Sequence, residues 1–239
     1  MTTEKTRSNQ ADEPGECSGE LLLVDKPKGW TSFDVVNRIR GILGVRRVGH
    51  AGTLDPLATG LLIVCTGRRT RELQQFQGWD KEYIVIMTLG MVTASYDAET
   101  PAVEQRGHEG IDEHAIRSMI PRFLGRQLQL PPMYSAAKVR GRRLYKYARR
   151  GLEIERGPRE VFISSMEIVR VDLPDVVLKV VCTKGTYMRT LVHDFGAALG
   201  CGAYVRELRR TRIGDFHLED AVSLELIERR ASPKVIAEA

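Results

Sequence analysis

The order of short apolar segments along the chain limits the folds that are open to it. Runs typical of buried strands occur at 21–24, 61–65 and 83–89, and 161–171 with 176–183 predict a hairpin that turns at 173–175. Helical spacing of apolar residues appears at 32–43, 112–123 and 186–199, with shorter helices expected near 71–76 and 223–229. Strands and helices do not alternate strictly. The sequence therefore predicts an α+β fold with a mixed sheet.

The extent of the folded part follows from the distribution of apolar residues. The first 19 residues are polar, so we expect a disordered tail at 1–19 and one folded domain over 20–239. The longest uninterrupted apolar run is 61–65, whereas a membrane span needs ~20 residues. The chain shows no secretory signal pattern, and these features predict a cytoplasmic protein without membrane attachment.

Basic residues are concentrated in the middle of the chain. Residues 121–150 contain nine Lys or Arg and no Asp or Glu, and Tyr145 and Tyr147 lie among them. Lysine and arginine displace counterions from phosphates, and aromatic rings stack on unpaired bases. A solvated surface is the alternative interpretation, but the pattern favours a nucleic-acid partner. The candidate contacts to an RNA backbone are Lys138, Arg140, Arg142, Arg143 and Lys146.

The segment 49–62, which we call the signature loop, has an unusual composition. It contains three glycines, His50, Asp55 and Pro56 directly before an apolar strand. Glycine permits close approach of a ligand to the backbone, and Pro56 excludes Asp55 from helical conformation. Loops that a rigid strand positions often carry catalytic groups. The alternative is an Asx turn, in which Asp55 only accepts local backbone hydrogen bonds.

The signature loop and four further motifs resemble the pseudouridine synthases, in particular the TruB-type branch of bacterial tRNA pseudouridine-55 synthases. The similarity runs from about 21 to 212. The motifs are Asp25-Lys26-Pro27-Lys28-Gly29, Lys81-Glu82-Tyr83, Met133-Tyr134-Ser135-Ala136 and Lys184-Gly185-Thr186-Tyr187-Met188-Arg189-Thr190. The resemblance implies a mixed, largely antiparallel sheet with flanking helices and a basic RNA-binding insertion at about 131–159 that closes over RNA. It also indicates a short form without the accessory C-terminal RNA-binding domain of many bacterial members.

The resemblance implies an activity as well. A pseudouridine synthase of this branch isomerises uridine 55 in the T loop of tRNA: the base is flipped out, its N1–C1′ bond is broken, and uracil is reattached through C5. The expected partner is the T arm of tRNA, and no cofactor, metal or obligatory protein partner is expected. The four cysteines agree with the absence of a metal site, because they are widely spaced and form no C-x-x-C pair.

The catalytic group that the resemblance implies is Asp55, which corresponds to the family's nucleophilic aspartate. Attack on the base, attack on the sugar and abstraction of a ribose proton remain three alternatives for its role. Arg189 corresponds to the cationic partner of that aspartate. Tyr83 corresponds to the active-site tyrosine that stacks on the target base.

Four further residues correspond to positions around the base. Tyr187 and Leu208 are expected to line the base pocket, and His50 is expected to hold flipped bases of the loop. Lys26 is expected to support the site or to pack against it. The resemblance leaves two other functions to consider, a guide-RNA-dependent catalytic subunit and a non-catalytic protein that assists tRNA folding.

Overall fold

The computed structural model describes residues 18–139 and 141–231. Three short 3₁₀ segments lie at Gly67–Glu72, Ile120–Phe123 and Leu218–Asp220. The strands are β1 (Leu21–Lys26), β2 (Val48–Ala51), β3 (Thr59–Thr66), β4 (Lys81–Leu89), β5 (Met91–Thr93), β6 (Ala102–Gln105), β7 (Gly125–Gln129), β8 (Lys138–Val139), β9 (Arg142–Arg143), β10 (Arg159–Asp172), β11 (Asp175–Cys182), β12 (Ala203–Ile213) and β13 (Phe216–His217). The α-helices are α1 (Ser32–Leu43), α2 (Leu73–Gly78), α3 (Glu113–Met119), α4 (Leu144–Ala148), α5 (Met188–Leu199) and α6 (Leu224–Ala231).

One large sheet organises the fold. Its strands run in the order β1-β3-β12-β4-β11-β10-β7, with β2 added to β3 and β13 added to β12. Among the described residues every pairing in this sheet is antiparallel except that of β12 with β3. The expected mixed, largely antiparallel sheet with flanking helices is confirmed.

Both faces of β3 are buried, which explains its continuous apolar sequence. Leu62 and Val64 pack in a cluster with residues of α1 and α6. Leu61 and Ile63 point the other way and pack in a cluster with Ala51 of β2 and Phe76 of α2. A larger cluster lies between β4, β10, β11 and β12 and the helices α3 and α5.

Helix α1 is joined to the signature loop through its first turn. Thr31 and Asp34 form a reciprocal capping box, as Thr31 at this position predicts. The hydroxyl of Ser32 donates to the Leu54 carbonyl at 3.2 Å and accepts from the Leu54 amide at 2.9 Å. The buried Ser32 side chain therefore fixes the residue directly before Asp55.

Some elements differ from the sequence predictions. The helix expected at 112–123 ends at Met119 and continues as a 3₁₀ turn that contains Pro121. The helix expected from 186 begins at Met188, with Tyr187 as its N-cap. The first residues of the signature loop form β2, and the sequence reasoning missed β2, β7 and the central strand β12. β12 carries exposed charged residues between buried ones, so its strand pattern was hidden.

The basic insertion is built on short local elements. Between β7 and β10 the chain forms the two-residue strands β8 and β9, which pair with each other, and the single-turn helix α4. Leu144 is fully buried and anchors α4, and its amide donates to the Ala137 carbonyl at 2.8 Å.

Gly60 allows β3 and β12 to approach each other at their parallel pairing. Its φ is +99°, and a Cβ at this position would lie 2.3 Å from the carbonyl oxygen of Arg210. We expect Gly60→Ala to lower the free energy of unfolding by about 3 kcal/mol. Alanine is strained at this positive φ, and its Cβ would also clash with the backbone of Arg210. Urea unfolding followed by circular dichroism measures the loss.

Gly29→Ala is the matched control for this substitution. Gly29 also has a positive φ, +84°, but the space around its Cβ position is open. We expect Gly29→Ala to cost only about 1 kcal/mol. Equal losses in the two variants would contradict the assignment of a close approach at Gly60.

Candidate active site

A cavity of about 360 Å³ opens between the signature loop, the sheet and the first turn of α5. This volume is in the range of sites that hold small organic groups. The structure brings five of the residues singled out by the sequence to its wall. They are Asp55, Tyr83, Tyr187, Arg189 and Leu208.

Asp55 and Arg189 form an ion pair at the cavity. The guanidinium Nε lies 3.0 Å from Asp55 Oδ2, but its N–H is not aligned for a hydrogen bond. The Arg189 side chain is 3% exposed, whereas the Asp55 side chain remains 35% exposed. The carboxylate is therefore held by a buried cation and still faces the open cavity.

Three further groups hold the Arg189 guanidinium in place. Nη1 donates to the Ser95 carbonyl at 3.1 Å and Nη2 donates to the Tyr134 carbonyl at 2.8 Å. Nη1 also lies 3.5 Å from Oδ2 of Asp97, a fully buried carboxylate. Since a buried charge needs partners, these contacts fix the direction in which Arg189 meets Asp55.

Asp97 is a site residue that the sequence reasoning missed. It belongs to an acidic stretch in which neighbouring acids are exposed, so nothing in the local sequence distinguishes it. Its carboxylate accepts hydrogen bonds from the Ser95 hydroxyl and, at 3.0 Å, from the Glu99 amide. Burial raises the pKa of Asp97, and the Arg189 guanidinium opposes that rise.

Tyr83 lies on the floor of the cavity and is 8% exposed. Its neighbour across the pairing of β4 and β12 is Arg210, which also lines the cavity. Burial raises the pKa of the Tyr83 phenol, and the Arg210 guanidinium partly opposes this. Tyr83 is therefore a neutral phenol near neutral pH, with its ring available for stacking.

Arg210 is the second buried arginine of the site and was also missed as an individual residue. Its Nε donates to the Leu61 carbonyl at 2.8 Å and its Nη2 donates to the Gly52 carbonyl at 3.2 Å. No carboxylate among the described residues forms an ion pair with it. Arg210 thus holds the signature loop against β3 and adds positive charge to the cavity.

Tyr187 and Leu208 complete the wall from two different elements. Tyr187 is the N-cap residue of α5 and is half-buried, and Leu208 on β12 is 7% exposed. Met188, the first residue of α5, also lines this wall. Together these side chains contribute apolar surface to the cavity.

Lys26 does not line this cavity but lies behind the signature loop. Its fully buried Nζ donates to the carbonyls of Pro27 at 2.9 Å, Trp30 at 2.6 Å and Pro56 at 3.4 Å. Burial lowers its pKa to about 8, and the negative charge of Asp55 opposes that shift. The ammonium ties the residue after Asp55 to the end of β1.

His50 lines an adjoining groove rather than the cavity itself. This groove has a volume of about 590 Å³ and shares Gly52, Thr53 and Lys184 with the cavity. Burial, aided by the Arg210 charge, lowers the pKa of His50, so the ring is neutral near neutral pH. Within the described parts of the chain its buried Nδ1 has no hydrogen-bond partner of good geometry.

The basic residues of the insertion lie around a second groove of about 660 Å³. Arg140 falls outside the described residues. Ala136 and Ala137 line the cavity at Asp55 and Lys138 lines this groove, so the two depressions are neighbours along the chain. The structure places four of the five predicted contacts at the groove: Lys138, Arg142, Arg143 and Lys146.

Two further observations concern metals and membranes. Among residues 18–139 and 141–231, no group of three His, Cys, Asp or Glu side chains is arranged to hold a metal ion. The longest helices have twelve residues, and within the described parts of the chain none has the length and apolar character to cross a bilayer.

Comparison with known proteins agrees with this geometry. Residues 40–188 match the N-terminal domain model of the TruB family pseudouridylate synthases. Residues 189–233 match the C-terminal domain model of tRNA pseudouridylate synthase B, and in this fold they form α5, β12, β13 and α6.

Individual relatives have the same assignment. A protein of Phocaeicola vulgatus named tRNA pseudouridine synthase B is 46% identical over 87% of this chain and 91% of its own length. A protein of the same name from Opitutus terrae is 48% identical over 90% of this chain and 89% of its own length.

A solved structure supports the fold. A chain in the crystal structure of the archaeal box H/ACA sRNP Nop10-Cbf5 complex superposes with a TM-score of 0.67 at 32% identity. The match covers 88% of this chain but only 53% of that one. The family models span the Asp55–Arg189 site and the strands that carry it, and the chain belongs to the TruB family of pseudouridylate synthases.

Proposed function

We propose that this protein isomerises uridine to pseudouridine at position 55 in the T loop of tRNA. The observation that carries the proposal is the half-exposed Asp55 carboxylate, held by the buried Arg189 at the wall of a cavity of about 360 Å³. The relatives named tRNA pseudouridine synthase B, which match along most of their length, support the reaction and the substrate. Since tRNA is used in the cytoplasm, we place the activity there.

Asp55 is the proposed catalytic carboxylate. The ion pair with Arg189 holds the carboxylate at the cavity wall, and the lack of an aligned hydrogen bond leaves its oxygens available to a bound nucleotide. Its position after Leu54 is fixed by Ser32, and the residue after it is fixed by Lys26. A nucleophile or base held in this way meets the glycosidic bond in one orientation.

The target base must leave the stack of the T loop before it can enter the cavity. Extruding a base costs a few kcal/mol, which contacts in the pocket and to the phosphates must offset. In the proposed complex the flipped uracil stacks on Tyr83, and Tyr187 and Leu208 enclose it. His50 in the adjoining groove is proposed to contact neighbouring flipped bases.

The basic insertion is proposed to bind the RNA backbone next to the target nucleotide. Lys138, Arg142, Arg143 and Lys146 are all exposed, and among the described residues none of them pairs with a carboxylate. The Tyr134 carbonyl of the insertion also accepts a hydrogen bond from Arg189. Closure of the insertion over RNA would therefore directly affect the ion pair of Arg189 with Asp55.

The guide-RNA-dependent subunit is less well supported as an alternative. The chain covers only 53% of the Cbf5 chain, whereas it covers 91% of the relative from Phocaeicola vulgatus. A purely non-catalytic role in tRNA folding would leave the arrangement of Asp55, Arg189 and Asp97 without a use.

Asp55→Asn should abolish turnover while tRNA affinity changes by less than about tenfold, or ~1.4 kcal/mol. The substitution removes the anionic carboxylate, whereas binding is spread over the pocket and the phosphate contacts. Pseudouridine is measured by chemical mapping of unmodified tRNA, and affinity by filter binding. Asp172→Asn, at an exposed carboxylate on the β10 hairpin, is the control. Full activity of Asp55→Asn would remove Asp55 from the mechanism.

Replacement of Arg142 and Arg143 with alanine should weaken tRNA binding and reduce its salt dependence. The slope of log affinity against log salt should fall by about one for each lost phosphate contact. Arg229→Ala with Arg230→Ala is the matched control, since these adjacent exposed arginines on α6 line neither groove. An unchanged slope in the first variant would mean that this part of the insertion is only a solvated surface.

An isolated T-arm stem-loop should be modified with a kcat/KM within about tenfold of that for whole tRNA, a barrier difference below ~1.4 kcal/mol. The reason is that the cavity shares lining residues with the His50 groove and is followed along the chain by the basic groove, so we expect their contacts to fall near the target nucleotide. The two substrates are compared at one salt concentration. A loss of about a hundredfold with the stem-loop would show that the protein also depends on distant parts of tRNA.

A further inference from the structure

Gln129 forms a two-point contact with the backbone of Tyr187. The Tyr187 amide donates to Gln129 Oε1 at 2.9 Å, and Gln129 Nε2 donates to the Tyr187 carbonyl at 3.3 Å. The Gln129 side chain is 3% exposed, so water does not compete for these groups. Among side chains of this length only a primary amide offers one donor and one acceptor in this arrangement.

The contact acts at a place where the backbone would otherwise be weakly held. Tyr187 is the N-cap of α5, with φ −97° and ψ 109°, and its side chain forms no capping hydrogen bond. The amides of a helix start lack intrahelical partners, so the cap residue is not fixed by the helix alone. Gln129 supplies the missing constraint, and thereby sets the direction in which the Tyr187 ring leaves the backbone.

The same part of the chain touches the start of α5 at two further points. The Thr190 hydroxyl donates to the Leu130 carbonyl at 3.1 Å, and Arg189 Nη2 donates to the Tyr134 carbonyl at 2.8 Å. Gln129 is the last residue of the edge strand β7, and the chain runs from it into the basic insertion. The root of the insertion is thus joined to the helix turn that carries Tyr187 and Arg189.

We propose that Gln129 is a positioning residue, which orients Tyr187 against the substrate base and links that orientation to the root of the insertion. The inference rests on the proposed function, in which Tyr187 encloses the flipped uracil. Gln129 does not line the cavity, so it acts through Tyr187 rather than on the base itself.

The test compares Gln129→Met, which keeps the length of the side chain, with the wild-type protein. With saturating T-arm stem-loop we expect the single-turnover rate to fall about tenfold or more, since small misplacements of positioning groups have effects of this size. The dissociation constant of the stem-loop should stay within about threefold, because the phosphate contacts remain. Gln129→Glu, which keeps the acceptor but not the amide donor, is the second variant.

A double-mutant cycle separates positioning from general support of the fold. If Gln129 acts through Tyr187, adding Gln129→Met to Tyr187→Leu should slow the reaction by no more than about twofold beyond Tyr187→Leu alone. Multiplicative losses would overturn the proposal. Thr88→Val is the control, because it removes a partly buried hydrogen bond to Asp175 near the C-terminal end of β4 and should lower thermal stability without changing the rate.

The remaining outcomes are also decisive. An inactive wild-type protein would refute the proposed function. If the wild type is active and both Gln129→Met and Gln129→Glu react as fast as the wild type, only the role of Gln129 is refuted. If one variant does not fold, the other completes the cycle with Tyr187→Leu. Failure of both to fold would overturn the inference, since Gln129 would then be required by the fold as a whole.

Discussion

Three parts of the chain meet on the guanidinium of Arg189, which is almost fully buried at the start of α5. The signature loop contributes Asp55, the turn after β5 contributes Ser95 and Asp97, and the insertion contributes Tyr134. A cation removed from water is stable only while these partners stay in place. The position of the Asp55 carboxylate is therefore coupled to segments that are up to 134 residues away from it in the sequence.

The sheet brings these segments together through β12. This strand pairs in parallel with β3 and antiparallel with β4, so it lies between the strand that ends the signature loop and the strand that carries Tyr83. Gly60 makes the first pairing close enough for Arg210 to reach the carbonyls of Leu61 and Gly52. The floor of the cavity is consequently formed by side chains that strand pairing places next to one another, which favours a preformed site.

The sequence predicted the helices and strands whose own residues show a clear pattern of capping or apolar side chains. Helix α1 has its cap and its periodicity, and β1, β3, β4 and the β10–β11 hairpin have continuous or alternating apolar residues. Strand β12 was missed because its charged residues hide the alternation, and Arg210 is buried only because its partners lie on other strands. Asp97 and Gln129 were missed for the same physical reason. Their roles depend on contacts over long sequence distances, which the composition of their own segments does not encode. The roles expected for Asp55 and its neighbours came from the family resemblance, and they remain proposals.

The balance of buried charge around the cavity explains why this site suits a polyanion. Among the described residues, Asp55 and Asp97 form ion pairs only with Arg189, whereas Arg210, Lys26 and Lys81 are held chiefly by backbone carbonyls. Burial lowers the pKa of both lysines to about 8, so at neutral pH both are still mostly protonated. The cavity and the residues just behind it thus carry more positive than negative charge in a region of reduced solvent screening. A phosphate backbone approaching the cavity and the basic groove would offset this excess, and the same positive field would stabilise negative charge on a base during glycosidic exchange. Charge that is unfavourable for the empty protein is in this way favourable for the complex.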